Sequence, residues 1–566
     1  MTSPGSDDRI REESLWFGPA NRPLFARLTS PATSQLRGGI LLSPPIGREA
    51  RLARHAMRAL AIRLASDGYA SLRFDHFATG NSSGSFDDDE FVGVWFETLD
   101  WGSALLRSYG APVISAVGMR IGATILAAAA TQRDLGLTSA VLWDPCESGR
   151  TFLRESSALG ALGRELDGPD SGGPVKRLEY VYPEEASKRL GELNVYGPAT
   201  EPLAKRILIV VRDDRVVSEK FRANWSEGVE WTTTSEQGAL LETELPSSVL
   251  ATGTLAEIRA WLTAPEAPWA AMRELAPRQD TALLDGRNGH AIRERLVEVG
   301  PHRLFSVVCE PVGDVKGPLI VLVNGINEDH VGPSRLWVEL SRLWAGYGLR
   351  CLRFDGRGLG ESPWTPDQPD PPLFDKNRPV DIRDATCALT PSGPTDSVLI
   401  GLCSGALVAL EVAREYKSRG LCLINPQVGT GLVKNANRME TSAQPLLRSL
   451  AQRGDRVLKR HRWIGKLVRQ ISRVVLATAT SPKVRATLVN NGTEMLLLAS
   501  PDELAPFPWI PIIGSIDHRR LVSSAHYRIE VVNGMDHDFL NDVGRQRAVA
   551  ILERHVLETF AGVAPQ

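Results

Sequence analysis

At 566 residues, with 43% hydrophobic and 23% charged side chains, the chain is longer than one core can serve. Its net charge of -2 gives no pull toward nucleic acid or an anionic membrane. No stretch reaches the roughly 18–20 uncharged apolar residues of a membrane span, and the polar opening "MTSPGSDDRIREES" lacks a signal-peptide core.

In chain order, the first apolar runs lie in "IREESLWFGPANRPLFARLTSP" (10–31) and "RGGILLSPPIGRE" (37–49). "YASLRFDHFATGNSSG" (69–84), "VISAVGMRIGATILAAA" (113–129), "AVLWDPCESG" (140–149) and "RILIVVRDD" (206–214) follow. Past a join rich in Ala, Pro and charge at 263–291, the series returns in the same order. Its members are "IRERLVEVGPHRLFSVVCEP" (292–311), "GPLIVLVNGINED" (317–329), "LRCLRFDGRGLGESPW" (349–364), "SVLIGLCSGALVALEVA" (397–413), "LCLINPQVGT" (421–430) and "EMLLLASPDE" (494–503). The offset holds at about 280–290 residues. A constant order at a constant offset reads as a tandem duplication.

Within each copy, short β-rich runs alternate with helix-compatible segments, so the expected fold is α/β. Each half is then a mostly parallel sheet flanked by helices, with sites at the carboxyl ends of the strands. The expected division is a first domain over 1–263, a linker over 264–291 and a second domain over 292–566. A helical lid is expected at about 427–490, in a segment with many more Lys and Arg than acids.

The chemistry-bearing stretch is "GLCSGA" (401–406). A strand, a tight turn and a helix, with small residues around the central position, expose the central side chain above the sheet. That side chain is Cys403. The following residue, Ser404, opens a helix and offers its backbone N–H to an oxyanion. An acid and a histidine follow in the order this scaffold uses: Asp502 after "EMLLLAS" and His537 after "YRIEVVNG". Cys403 is the expected nucleophile, His537 its base and Asp502 the orienter, with Glu503 the runner-up acid. The second oxyanion donor is expected at the N–H of Ile326, in "VNGINED". Asp355 reads as a loop brace, and His330, His518 and His526 as packing or surface residues.

The ordered set of "NGI" (324–326), "DGRGLGES" (355–362), "GLCSGA", Asp502 and His537 resembles the α/β-hydrolase superfamily over essentially all of 292–566. The elbow serine of that family is replaced by cysteine, as in dienelactone hydrolases and some thioesterases. The resemblance implies an enzyme that forms an acyl-cysteine on an ester or thioester. It acts as an acyltransferase, thioesterase or hydrolase on a small-molecule substrate, a CoA- or carrier-protein-bound acyl group among the candidates. It implies no cofactor, no metal and no nucleic-acid partner. The rival readings are a plain ester hydrolase and a non-catalytic scaffold of two degenerate domains.

In the first copy the elbow is "VGMRIGA" (117–123), with Arg120 in the central slot. A guanidinium stays protonated and cannot attack a carbonyl. The stretch where the histidine belongs contains none, and the half's histidines, His55 and His76, both precede the elbow. The first half is therefore expected to be a pseudoenzyme, with Arg120 paired to Asp213 or Asp214 or binding an anion. Six scattered cysteines (Cys146, Cys309, Cys351, Cys387, Cys403, Cys422) fit neither a metal site nor a disulfide framework, and a cytoplasmic setting is expected.

Overall fold

A computed structural model describes residues 9–167, 182–196, 203–225, 228–242, 250–265, 267–274, 279–286, 288–325, 328–365, 375–426, 492–500, 526–535 and 542–563. The expected lid at about 427–490 lies outside them.

The first half opens with β1 (Ile10–Phe17), β2 (Leu24–Pro31), β3 (Gln35–Leu36) and β4 (Gly38–Ser43), then α1 (Arg48–Ser66) and β5 (Tyr69–Phe74). It continues through α2 (Phe91–Ser108), β6 (Ile114–Met119), α3 (Ile121–Ala130), β7 (Ser139–Trp143), α4 (Gly149–Asp167) and α5 (Glu184–Glu192). It ends with β8 (Arg206–Arg212), α6 (Glu219–Asn224), β9 (Val229–Thr234), α7 (Gln237–Leu241) and α8 (Thr252–Thr263). The short β10 (Ala270–Ala271) turns back to pair with β3. Strands β4, β5, β6 and β7 are buried at every residue, as strands must be when helices cover both faces of a parallel sheet. Met57, Leu60, Leu255 and Ile258 of α1 and α8 seal one face. Trp95, Leu99 and Ile125 of α2 and α3 seal the other.

The second half carries β11 (Thr281–Asp285), β12 (Ala291–Val299), β13 (Leu304–Pro311), β14 (Lys316–Val323), α9 (Leu336–Gly346) and β15 (Leu349–Phe354). After these come α10 (Arg378–Cys387), β16 (Ser397–Leu402), α11 (Ser404–Tyr416), β17 (Gly420–Ile424), β18 (Glu494–Ala499), β19 (Tyr527–Val531) and α12 (Asp542–Val556). The first sheet runs β1-β2-β5-β4-β6-β7-β8-β9. The second runs β12-β13-β15-β14-β16-β17-β18-β19, with β11 added at its edge. In both, the second strand of the series (β2 or β13) runs antiparallel to each of its neighbours, and the six strands beyond it are parallel.

Matched residues also do matched work. Asp75 accepts the N–H of Asn81 at 2.8 Å, and Asp355 accepts that of Glu361 at 2.8 Å. Each closes the turn after its strand around a glycine with φ near 50°. A Cβ at Gly80 or Gly360 would sit 2.1 Å from the aspartate's oxygen.

These two turns meet at the junction of the halves, and the contacts there are reciprocal. Arg58 of α1 grips Glu12 and donates to the carbonyls of Gly360 and Ser362 in the other half, at 2.9 and 2.8 Å. Its counterpart Arg342 of α9 grips Glu294 and donates to the carbonyls of Asn81 and Ser82. Arg73 forks onto Glu361 at 3.0 and 2.8 Å, while Arg353 reaches Asn81 at 2.7 Å. Phe25 and Phe305, matched residues themselves, pack ring to ring at 5.8 Å inside an apolar cluster with Trp16, Ala282, Leu296 and Val307. That is how a self-complementary two-fold interface is built, here within one chain.

Candidate active site

Strand β16 is buried throughout and ends at Leu402, and α11 begins at Ser404. Between them Cys403 holds φ 55°, ψ -122°, a left-handed backbone costly for a side chain bearing Cβ. Surrounding contacts enforce it. The Cys403 N–H is fixed to the carbonyl of Ile424 at 2.9 Å. A Cβ at Gly405 would lie 2.4 Å from the carbonyl oxygen of Asn324, so only glycine lets α11 come this close to the end of β14. Cys403 is half-buried, whereas Cys146, Cys309, Cys351 and Cys422 are buried and Cys387 is exposed. Ser404 is buried and opens α11, where the first helical N–H groups have no intrahelical acceptor.

The order β14-β16-β17-β18-β19 puts the ends of five parallel strands along one edge of the sheet. Cys403 follows β16 directly, and β14 leads into Asn324 and Gly325. The other expected site residues, Ile326, Asp502 and His537, lie outside the described residues, as does Glu503. Strand β18 ends at Ala499 and β19 at Val531, each shortly before its expected catalytic residue.

One residue at the site carried no sequence signal. Arg378, in the first turn of α10, donates to the carbonyl of Asn324, to that of Gly325 at 3.3 Å and to Ser404 Oγ at 3.4 Å. Burial pulls its guanidinium below the usual arginine range. The carboxylates of Asp381, Asp375 and Glu328 pull the other way. A lone arginine before a proline has no motif, and only the fold brings it under the elbow.

Past Gly325 the loop becomes acidic. Glu328 pairs with Arg51 at 3.4 Å and Asp329 with Arg54 at 2.8 Å, both arginines belonging to α1 of the first half. Next in the chain, buried His330 donates its backbone N–H to Asp355 at 2.7 Å and places Nδ1 2.8 Å from the same carboxylate. Its Nε2 lies 2.8 Å from the side-chain amide of Asn81. Asp355 is thus a brace for its loop, and His330 is packed into the junction. His526 is exposed and pairs with Glu494. His518 lies outside the described residues.

The first half repeats the elbow without the thiol. Arg120 stands at φ 53°, ψ -124°, with its N–H on the carbonyl of Trp143 at 3.0 Å. Its partners differ from those expected. Asp214 is engaged by Arg212 at 2.6 Å, and Arg120 pairs instead with Glu49 at 2.9 Å, Asp144 at 3.4 Å and Glu155. The reason is reach: Arg120 is buried at the turn, and Glu49 and Glu155 come to it from α1 and α4.

Among the described residues no cluster of three or more His, Cys, Asp or Glu is placed to hold a metal. No described helix is long and apolar enough to cross a membrane.

The model of the family described as "Alpha/beta hydrolase family" matches residues 320–551. Among curated proteins no sequence matches the chain. Similar solved structures include the Pyrococcus furiosus esterase Pf2001, at 16% identity over 45% of this chain and 89% of that one, TM-score 0.31. Est1E from Butyrivibrio proteoclasticus is 16% identical over 44% of this chain and 98% of its own, TM-score 0.31. A proline iminopeptidase from Mycobacterium smegmatis is 14% identical over 45% and 97%, TM-score 0.29. The family match spans the elbow and strands β16 to β19 of the second half.

Proposed function

We propose that the second half is a cysteine-dependent acyl-transfer enzyme and that the first half, its duplicate, is a pseudoenzyme. The observation that carries this reading is the elbow: a half-buried thiol held at φ 55° over the carboxyl edge of the sheet, at the start of α11. In the proposed reaction the Cys403 thiolate attacks the carbonyl carbon of an ester or thioester. The oxyanion is met by the N–H groups of Ser404 and Ile326. Collapse breaks the bond to the leaving alkoxide or thiolate, which takes its proton from His537, oriented by Asp502. Water or another nucleophile then releases the acyl group from Cys403, with His537 as the base. An acyl-cysteine is itself a thioester, so amines, alcohols and thiols compete well with water, which favours transfer or thioester cleavage over plain ester hydrolysis. Arg378 adds a fixed positive charge beneath the site.

The basic segment at 427–490 suits a phosphate-bearing carrier such as CoA or an acyl carrier protein. Matched strand order and reciprocal contacts support the duplication, with the halves divided at 264–291. Six free cysteines, with Cys309 and Cys351 cross-strand partners, suit a reducing cytoplasm.

Incubation with acetyl-CoA followed by mass spectrometry tests the reading. An acetyl adduct on Cys403 is expected, absent in Cys403→Ala. An adduct that persists in that variant, or a wild type that takes up no label, overturns it; the second result favours the scaffold reading.

A further inference from the structure

Some contacts at the junction are not reciprocated, and one set of them bears on the site. Arg58 and Arg342 answer each other, as do Arg73 and Arg353. The contacts of Arg51 with Glu328 and of Arg54 with Asp329 have no counterpart running the other way among the described residues. Arg335, at the start of α9, goes to the carbonyls of Gly80 and Gly84, at 2.8 and 3.1 Å. The loop after β4 aligns with the loop after β14, so Arg48 and Glu49 stand where the second half has Glu328 and Asp329. Glu49 turns inward to its own elbow and binds Arg120. Asp329 turns outward and binds the other half.

From this asymmetry we infer that helix α1 of the first half positions the loop after β14 of the second half, the loop that carries the proposed oxyanion donor Ile326. The inference rests on the acyl-cysteine reading for its catalytic consequence. Two sets of contacts hold the loop. Within the second half, Arg378 ties down the carbonyls of Asn324 and Gly325. From the first half, Arg51 and Arg54 hold the next two described side chains, Glu328 and Asp329. Arg54 is anchored in turn by Glu361 at 3.4 Å, and its side chain is 15% exposed against 9% for Asp329. A cavity of about 90 Å³ lies at this contact, lined by Arg51, Arg54, Glu328, Asp329, Pro45 and Ser334. The contacts that reach this loop from α1 are therefore ionic and directional. An oxyanion donor must sit within a few tenths of an ångström of its target, so slack in this loop reaches the transition state. The degenerate half thus serves the enzyme as a built-in positioning subunit.

The full-length Arg51→Gln/Arg54→Met variant tests this in two ways. Hydrogen exchange of the peptide 319–335 is expected to quicken several-fold, while the elbow peptide 397–416 keeps its wild-type rate. Single-turnover acylation by p-nitrophenyl acetate is expected to fall by about tenfold or more. Alkylation of Cys403 by iodoacetamide, which needs no oxyanion hole, should be unchanged. Arg54→Lys should recover most of the acylation. Arg342→Met breaks a reciprocated contact instead; it should lower stability and spare acylation. Unchanged exchange in 319–335, unchanged acylation despite faster exchange, or an equal acylation loss in Arg342→Met each overturns the inference. A wild type that is alkylated but never acylated overturns the acyl-cysteine reading alone, and the exchange result still decides whether α1 holds the loop.

Discussion

The two elbows share a backbone and differ in what they carry. Cys403 and Arg120 have φ and ψ within 2° of each other, donate to the matching carbonyl of the neighbouring strand, and are flanked by glycines that admit a helix against a strand end. Such a backbone costs on the order of 1–3 kcal/mol and persists only where surrounding contacts over-determine it. In the second half the strain presents a thiol. In the first half it presents a guanidinium enclosed by three carboxylates. Strain at this turn therefore belongs to the scaffold, and the side chain decides whether the turn does chemistry.

The sharpest way to break this comparison is Arg120→Met. Asp144 is buried and Glu49 is 17% exposed, and desolvation already pushes both carboxyls above the usual range while Arg120 pulls them back. Removing the cation leaves them uncompensated, and breaking a buried pair in this way costs about 3–5 kcal/mol. Urea unfolding should show that loss in the transition of the first half, with acylation of Cys403 slowed little. A variant as stable as the wild type would mean that Arg120 holds nothing, and that its slot is open for an anion.

Acid separates the same two regions more gently. At the junction Glu12, Glu294, Asp329 and Glu361 are all held below their ordinary values. Burial opposes their charge, but the arginines around them outweigh it, and Glu294 falls to about 2. A carboxylate with a depressed folded value contributes stability that is present above its unfolded value and lost as pH falls through the folded one. For Glu294 that window runs from 4.5 down to about 2. At Arg120 the sign is reversed for Glu49 and Asp144, whose raised values make protonation easier in the fold than out of it. Scattering measured from pH 4.5 downward should show the radius of gyration rising before far-UV circular dichroism changes, as the halves part first. A radius constant until the helices melt would contradict this.

Much of the architecture was legible because it is written in apolar runs. The strand series, its repetition and the Gly-x-Cys-x-Gly turn all follow from local sterics and burial, which leave a pattern along the chain. Arg378 left none, because what matters about it is the carbonyls it meets across the fold. The partners of Arg120 were misread for a related reason. The aligned slot pointed to Asp213 or Asp214, but a buried guanidinium pairs with whatever acids the neighbouring helices bring, here Glu49 and Glu155. The junction was half-visible. Arg48, Arg51, Arg54 and Arg58 recur at spacings of three or four along α1, and "NED" follows the loop glycine. That periodicity marks one charged helix face, yet no single-chain pattern says which acids it meets.

The smallest effect is expected at the acid slot, where the two halves can be compared one for one. Asp214 aligns with Asp502, and in the first half it is a surface residue, 56% exposed, gripped by Arg212. Arg212 is also held by Glu242 at 2.6 Å, and Arg215 links Glu242 to Glu155 at 3.1 and 2.9 Å. The hydrogen bonds from Arg212 hold the Asp214 carboxyl below its ordinary value, but solvent screens a pair this exposed. Asp214→Asn should therefore leave the unfolding midpoint and the acylation rate where they were. Asp502→Asn should leave the midpoint but slow acylation, because in the proposed reaction that acid orients His537. Equal effects of the two substitutions on acylation would mean that the slots had not diverged, and the division of the chain into a working half and a supporting half would fall.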